Sequence, residues 1–195
     1  MRMPRQARAG FTLTELMISI TLLAVVMGGI TGTVLSMQRG YIRQREVART
    51  EDALRVAEMT ITRILQAAGS NPLNMTGAGA PRIAPDLLAP FDTVRVVADY
   101  NPVDGDVADP LEDMQVWVAG DTLYVIWQAA QAAVPVAFPV RSLLFQYDSA
   151  GTVLTDPARI TNNATRVRVT LMAPRHSRTT TLARRDTWVY LRNRR

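Results

Sequence analysis

The sequence predicts an α+β protein: one long N-terminal α-helix whose second half packs on an antiparallel β-sheet head. Three observations predict it. Residues 16–38 form a run of 23 without a charge, no proline occurs between Pro4 and Pro72, and six segments beyond residue 92 are rich in β-branched residues and alternate apolar with polar positions.

The 195 residues are 48% hydrophobic and 20% charged, ordinary values for one domain with an appendage. Cysteine is absent, which excludes disulfides, thiolate metal sites and a cysteine nucleophile. Lysine is absent too, so Schiff-base chemistry and a phosphate-loop lysine are excluded. His176 is the single histidine. A catalytic triad or a histidine-rich metal centre would have to be built around that one residue, and the inventory argues for a non-enzymatic chain. The net charge is +5, and Arg2, Arg5 and Arg8 supply three of those charges.

Residues 1–10 are basic and lack an apolar core of their own, so they do not form an ordinary secretory signal. The uncharged run that follows is long enough to cross a bilayer, which needs about 20 residues. Ser19, Thr21, Gly28, Gly29, Thr31, Gly32 and Thr33 dilute it, a composition suited to packing against other helices. Arginines at positions 2, 5 and 8 predict a cytoplasmic N-terminus, although Arg39, Arg43, Arg45 and Arg49 follow the span. Glu15 is anomalous, because an acid at the centre of a membrane helix costs about 2.5–3.5 kcal/mol and less near its end. It is either an interfacial acid favoured by the helix dipole or one half of a charge pair in an assembled bundle.

Past the span, Val47, Leu54, Ala57, Ile61, Ile64, Leu65 and Ala68 keep helical spacing. Gly69, Asn71 and Pro72 then stop the helix. Fifty-eight residues, 11–68, would extend about 87 Å. The stretch 70–91, with four prolines and two glycines, reads as a loop. Strands are expected over residues 93–98, 114–119, 122–128, 142–147, 165–172 and 180–191, with hairpins at Gly120-Asp121 and at residues 148–151. In residues 165–171 the valines and leucine fall on one face, the arginines and Thr170 on the other. One buried face is thereby expected, covered by the helix at residues 47–68.

The segment Gly10-Phe11-Thr12-Leu13-Thr14-Glu15-Leu16-Met17-Ile18, followed by its apolar run, closely resembles the type IV prepilin cleavage and methylation motif. The resemblance implies a pilin-like fold, cleavage by prepilin peptidase after Gly10 and methylation of the new terminus at Phe11. It also implies that Glu15 neutralises the N-terminal amine of a neighbouring subunit as the chain leaves the membrane for a filament. Residues 63–69, 142–148 with Gly151, and 191–194 are similar to PilW-like minor pilins and J-type type II secretion pseudopilins. The membrane half lacks the helix-bending proline of many major pilins, which favours a minor component.

Residues 99–113 place six carboxylates and one asparagine on a turn after a strand. Asp99, Asn101, Asp104, Asp106, Asp109, Glu112 and Asp113 are candidate oxygen ligands for calcium, and the alternative is a solvated acidic turn. The spacing departs from an EF-hand by one residue between Asn101 and Asp104. No other cofactor is expected. Arg175, Arg178, Arg184, Arg185, Arg192, Arg194 and Arg195 could contact nucleic acid, but strand alternation scatters them. Trp117, Tyr124, Trp127, Trp188 and Tyr190 read as core or subunit-contact aromatics.

The expected organisation is a leader at 1–10, a transmembrane helix at 11–38, its amphipathic continuation at 39–69 and a periplasmic or extracellular head at 70–195. The expected function is a minor pilin or pseudopilin stored in the inner membrane and assembled with other pilins. The alternatives are a DNA-binding tip pilin of a competence pilus and a secretion pseudopilus subunit.

Overall fold

The computed structural model describes residues 11–73, 75, 80–85, 91–99, 103–128, 130–175 and 181–191. Helix α1 runs Leu13–Ala67 without interruption, and the chain divides within it into two units, Met1–Arg45 and Glu46–Arg195.

Within the first unit every described residue is exposed, including Leu16, Met17, Ile18, Ile20, Leu22, Leu23, Val25 and Ile30. An 18-residue window of this apolar stretch reaches a mean hydropathy of 2.1, long and apolar enough to cross a membrane. The hydroxyls that dilute it are all satisfied within the helix. Ser19 donates to the Glu15 carbonyl, Thr21 to Ile18, Thr31 to Met27 and Thr33 to Gly29, at 2.8–2.9 Å. Each hydroxyl therefore carries a partner of its own into a medium that offers none.

In the second unit the helix buries Thr50, Ala53, Leu54, Ala57, Ile61, Ile64 and Leu65, a stripe at i, i+3, i+4 and i+7. Val47, expected on that stripe, is 43% exposed and lies before its first buried turn. Gly69 takes φ +73° one residue past Ala68, a left-handed helix stop that a side chain would strain.

The strands form two antiparallel sheets where one was expected. The first, β1 (Arg82–Pro85), β2 (Val94–Val97), β3 (Asp113–Ala119), β4 (Thr122–Ile126) and β5 (Val134–Ala137), is ordered sequentially. The second contains β6 (Ser142–Ser149), β7 (Thr152–Leu154), β8 (Arg166–Pro174) and β9 (Leu182–Tyr190) in the order β7-β6-β8-β9. A short helix, α2 (Pro157–Asn163), connects β7 to β8. Leu54, Ala57, Ile61, Ile64 and Leu65 of the helix, Val94, Val96, Val116 and Leu123 of the first sheet and Leu143, Val167, Val169 and Leu171 of the second share one hydrophobic core.

Two polar ties add to that burial. Thr50 donates to the Pro174 carbonyl at 3.0 Å, and Glu58 receives both the Thr187 hydroxyl and the Arg185 guanidinium. Gly120 and Asp121 at φ +54° and +59° make the two-residue β3–β4 turn, the mirror-image type whose twist suits a hairpin. The second hairpin is tighter than expected. Asp148 and Ser149 belong to β6, and only Ala150 and Gly151 turn the chain.

Asp148 anchors the base of this hairpin. It is 3% exposed, its Oδ1 accepts from Arg166 Nε at 2.7 Å and from the Gly151 N–H at 3.1 Å, and Arg166 lies 4.7 Å over the Trp188 ring. The Arg166 guanidinium, aided by the Gly151 amide and opposed by burial, holds the Asp148 carboxyl below its usual value. A depressed folded value contributes stability that is complete above the unfolded value, about 3.9, and is lost as pH falls through the folded one. Asp148→Asn is therefore expected to lower the melting temperature at neutral pH and to flatten its fall below about pH 4. Thermal melts across pH check this, and an unchanged acid profile would remove Asp148 from the acid response.

Candidate functional site

The N-terminal turn of α1 is built by two residues three apart. The Thr12 N–H and hydroxyl donate to Glu15 Oε2 at 3.0 and 2.9 Å, while the Glu15 N–H donates to the Thr12 hydroxyl at 3.3 Å. This reciprocal arrangement is a capping box, which satisfies amides that would otherwise be orphaned at the start of a helix. Both contacts fall on Oε2, and among the described residues none engages Oε1, which can face a positive group. Phe11 precedes the cap and is 84% exposed. Gly10 lies outside the described residues.

Residues 5–31 match the family model for the prokaryotic N-terminal methylation motif. The match supports a type IV prepilin-like protein, of a structural rather than enzymatic family, and the apolar helix fits a membrane-anchored pilin. Processing by prepilin peptidase and assembly with pilins follow from the same motif. No curated protein matches the chain. Thr12 of the methylation motif was not singled out from the sequence, although Thr-x-x-Glu ahead of an apolar run is the signature of a capping box.

The acidic loop separates into three groups. Asp104, Asp106 and Asp109 converge, with one carboxylate oxygen from each within 4.8 Å of the others. Two turns hold them: the Asp106 N–H donates to Asp104 Oδ1 at 3.1 Å and the Ala108 N–H to Asp106 Oδ1 at 2.9 Å. Burial, then the charges of Asp104 and Asp106, push the Asp109 carboxyl above its usual value. Asp99 and Glu112 are fully buried at the end of the β2–β3 pair, where the Ala98 N–H donates to the Glu112 carbonyl. Among the described residues neither oxygen of Asp99 has a hydrogen-bond partner. Asp113 is engaged elsewhere, because Arg95 of the neighbouring strand grips both its oxygens at 2.5–2.6 Å. Asn101 lies outside the described residues.

Among the described residues, the C-terminal Arg184 and Arg185 are each engaged by an acid rather than gathered in one patch. Arg184 binds Asp186 at 2.8 Å and Arg185 binds Glu58, while Arg178, Arg192, Arg194 and Arg195 lie outside the described residues. Arg166 and Arg168 flank Trp188, with guanidinium carbons 4.7 and 5.8 Å from the ring centroid, on the face of the second sheet where Tyr190 is exposed. Trp117 stacks on Tyr124 at 5.9 Å across β3 and β4, and Trp127 packs against the core. These aromatics already have partners in the fold.

Proposed function

We propose that the chain is a structural minor pilin or pseudopilin, cut after Gly10, methylated at Phe11 and incorporated through Glu15 into a type IV pilus or a related pseudopilus. The observation that carries this reading is the apolar helical face from Leu13 to Ile42, exposed throughout and carrying in its first turn a capped acid with one oxygen unengaged among the described residues. An apolar surface of that length needs lipid before assembly and neighbouring helices afterwards. We place the leader in the cytoplasm and the β-rich unit beyond the inner membrane, from the leader arginines. Resemblance over residues 63–69 and 142–148 favours a PilW-like minor pilin or a J-type pseudopilin. The competence-tip alternative has less support, since Arg184 and Arg185 are already paired to acids. The mass of the N-terminus in sheared filaments tests the reading.

The same reading includes calcium on the acidic loop, with Asp104, Asp106 and Asp109 as its ligands. Three converging carboxylates repel one another without a counterion. Calcium at a hundredfold above its dissociation constant is expected to stabilise the fold by about 2.7 kcal/mol. Magnesium should do less, because it demands stricter geometry. Melting the protein in chelator and then in calcium measures this; a shift that persists in Asp104→Ala/Asp106→Ala, or no shift at all, returns the loop to a solvated turn.

A further inference from the structure

A cleft of about 610 Å³ opens on the second unit between the β6–β7 hairpin and α2. Its shape is set by elements with well-defined ends. Asp156 caps α2 by accepting the Ala158 N–H at 2.9 Å, Pro157 occupies the first turn, and Ile160 and Ala164 are buried on the inner side. That anchoring turns Arg159, Asn162 and Asn163, spaced i, i+3 and i+4, onto the opposite side of the helix, where they line the cleft. The hairpin brings Ser149 and Thr152 to the facing wall, and Leu154 contributes an apolar area.

The chemistry of this lining is specific. Among the described residues that line it, Arg159 is the only charged one and none is an acid. Among the described residues, the side chains of Arg159, Asn162 and Asn163 have no hydrogen bond or ion pair within the protein. A guanidinium without an acid presents a planar fork matched to a carboxylate. Two carboxamides and the hydroxyls of Ser149, Thr152 and Thr165, the last of which donates to the Asp148 carbonyl, present both donors and acceptors, which match neutral hydroxyl groups rather than further charge. A phosphate chain would call for more than one cation, and a hydrophobic ligand would leave these groups unpaired at a cost. The volume suits a ligand of one or two sugar rings.

We propose that this cleft binds a carboxylated saccharide, with Arg159 on the carboxylate and Asn162, Asn163, Ser149 and Thr152 on ring hydroxyls. All of its lining residues come from a single chain. It would give the chain a recognition function of its own.

The test is titration of the full-length protein in detergent micelles, followed by saturation-transfer NMR, with hexuronate disaccharides, sialyllactose, neutral disaccharides of equal size and inorganic phosphate. Saturable binding is expected for an acidic sugar, at least tenfold tighter than for its neutral counterpart. Arg159→Ala should weaken the acidic sugar at least tenfold and leave the neutral one unchanged, whereas Asn162→Ala should weaken both. Both positions are exposed, and an unchanged melting temperature confirms that the variants fold. The proposal is overturned if none of the acidic sugars binds at about 10 mM. It is equally overturned if Arg159→Ala changes nothing, or if phosphate occupies the cleft and the sugars fail to displace it.

Discussion

Replacing Gly10 with phenylalanine is expected to leave the chain uncut at Met1 while it still inserts into the membrane. The unsubstituted protein recovered from filaments should begin at a methylated Phe11. The effect is expected to be nearly complete, because cleavage needs close approach to the backbone on both sides of the scissile bond. A glycine permits that approach and a bulky side chain does not. Insertion should survive, since the apolar face of α1 lies wholly beyond the cut and is unchanged. On the proposed reading assembly should not survive, because Arg2, Arg5 and Arg8 would be carried into a bundle of neighbouring helices. Each unpaired buried charge there costs several kcal/mol. Intact-mass measurement on membrane and sheared fractions reads both steps, and Met1 present in assembled material would defeat the processed-subunit reading.

The division between what was legible in the sequence and what was not follows the range of the forces involved. Helix α1 was legible because its determinants are local: an uncharged run, apolar spacing and the Gly69 stop act within a few residues. The β3–β4 hairpin was legible for the same reason, since Gly120-Asp121 is itself the turn. Strand β1 was not, because Pro81 precedes it, Pro85 ends it, and of its four residues only Ile83 is fully buried. Pairing to β2 at the sheet edge, where proline is tolerated, orders them. Pro135 hid β5 in the same way. The alternation pattern could not divide the strands into two sheets, because a buried face looks the same whichever sheet it belongs to.

The candidate sites divide along the same line. The methylation motif is contiguous and was read directly, and the acidic run was visible as a concentration of charge. Which acids meet was decided by contacts remote in sequence. Asp113 falls on β3 beside Arg95 of β2, eighteen residues earlier, and is removed from the loop cluster by that pairing. Glu58, which looks like an ordinary solvated acid on the polar side of a helix, meets Thr187 across 129 residues. The cleft beside α2 was invisible for a further reason. Arg159, Asn162 and Asn163 form no recognisable motif until α2 is folded against the hairpin.

Substituting Glu15 is expected to separate two roles that the geometry superimposes. In the isolated chain Glu15 closes a capping box with Thr12, a contribution of about 0.5–2 kcal/mol that glutamine can also make. In the filament the proposed role is charge, with the open Oε1 facing a neighbour's terminal amine. Removing one partner of a buried ion pair costs about 3–5 kcal/mol, which corresponds to a loss of incorporation of about a hundredfold or more. Glu15→Ala should therefore be processed and retained in the membrane but be nearly absent from sheared filaments. Glu15→Gln should fail almost as completely although it keeps the cap, whereas Thr12→Val, which loses the capping hydroxyl and keeps the charge, should incorporate with a smaller loss. Quantifying each variant in membrane and filament fractions decides between the roles. If Glu15→Gln assembles like the unsubstituted chain, the carboxylate serves only to start the helix, and the neighbour's amine must find its counter-charge elsewhere.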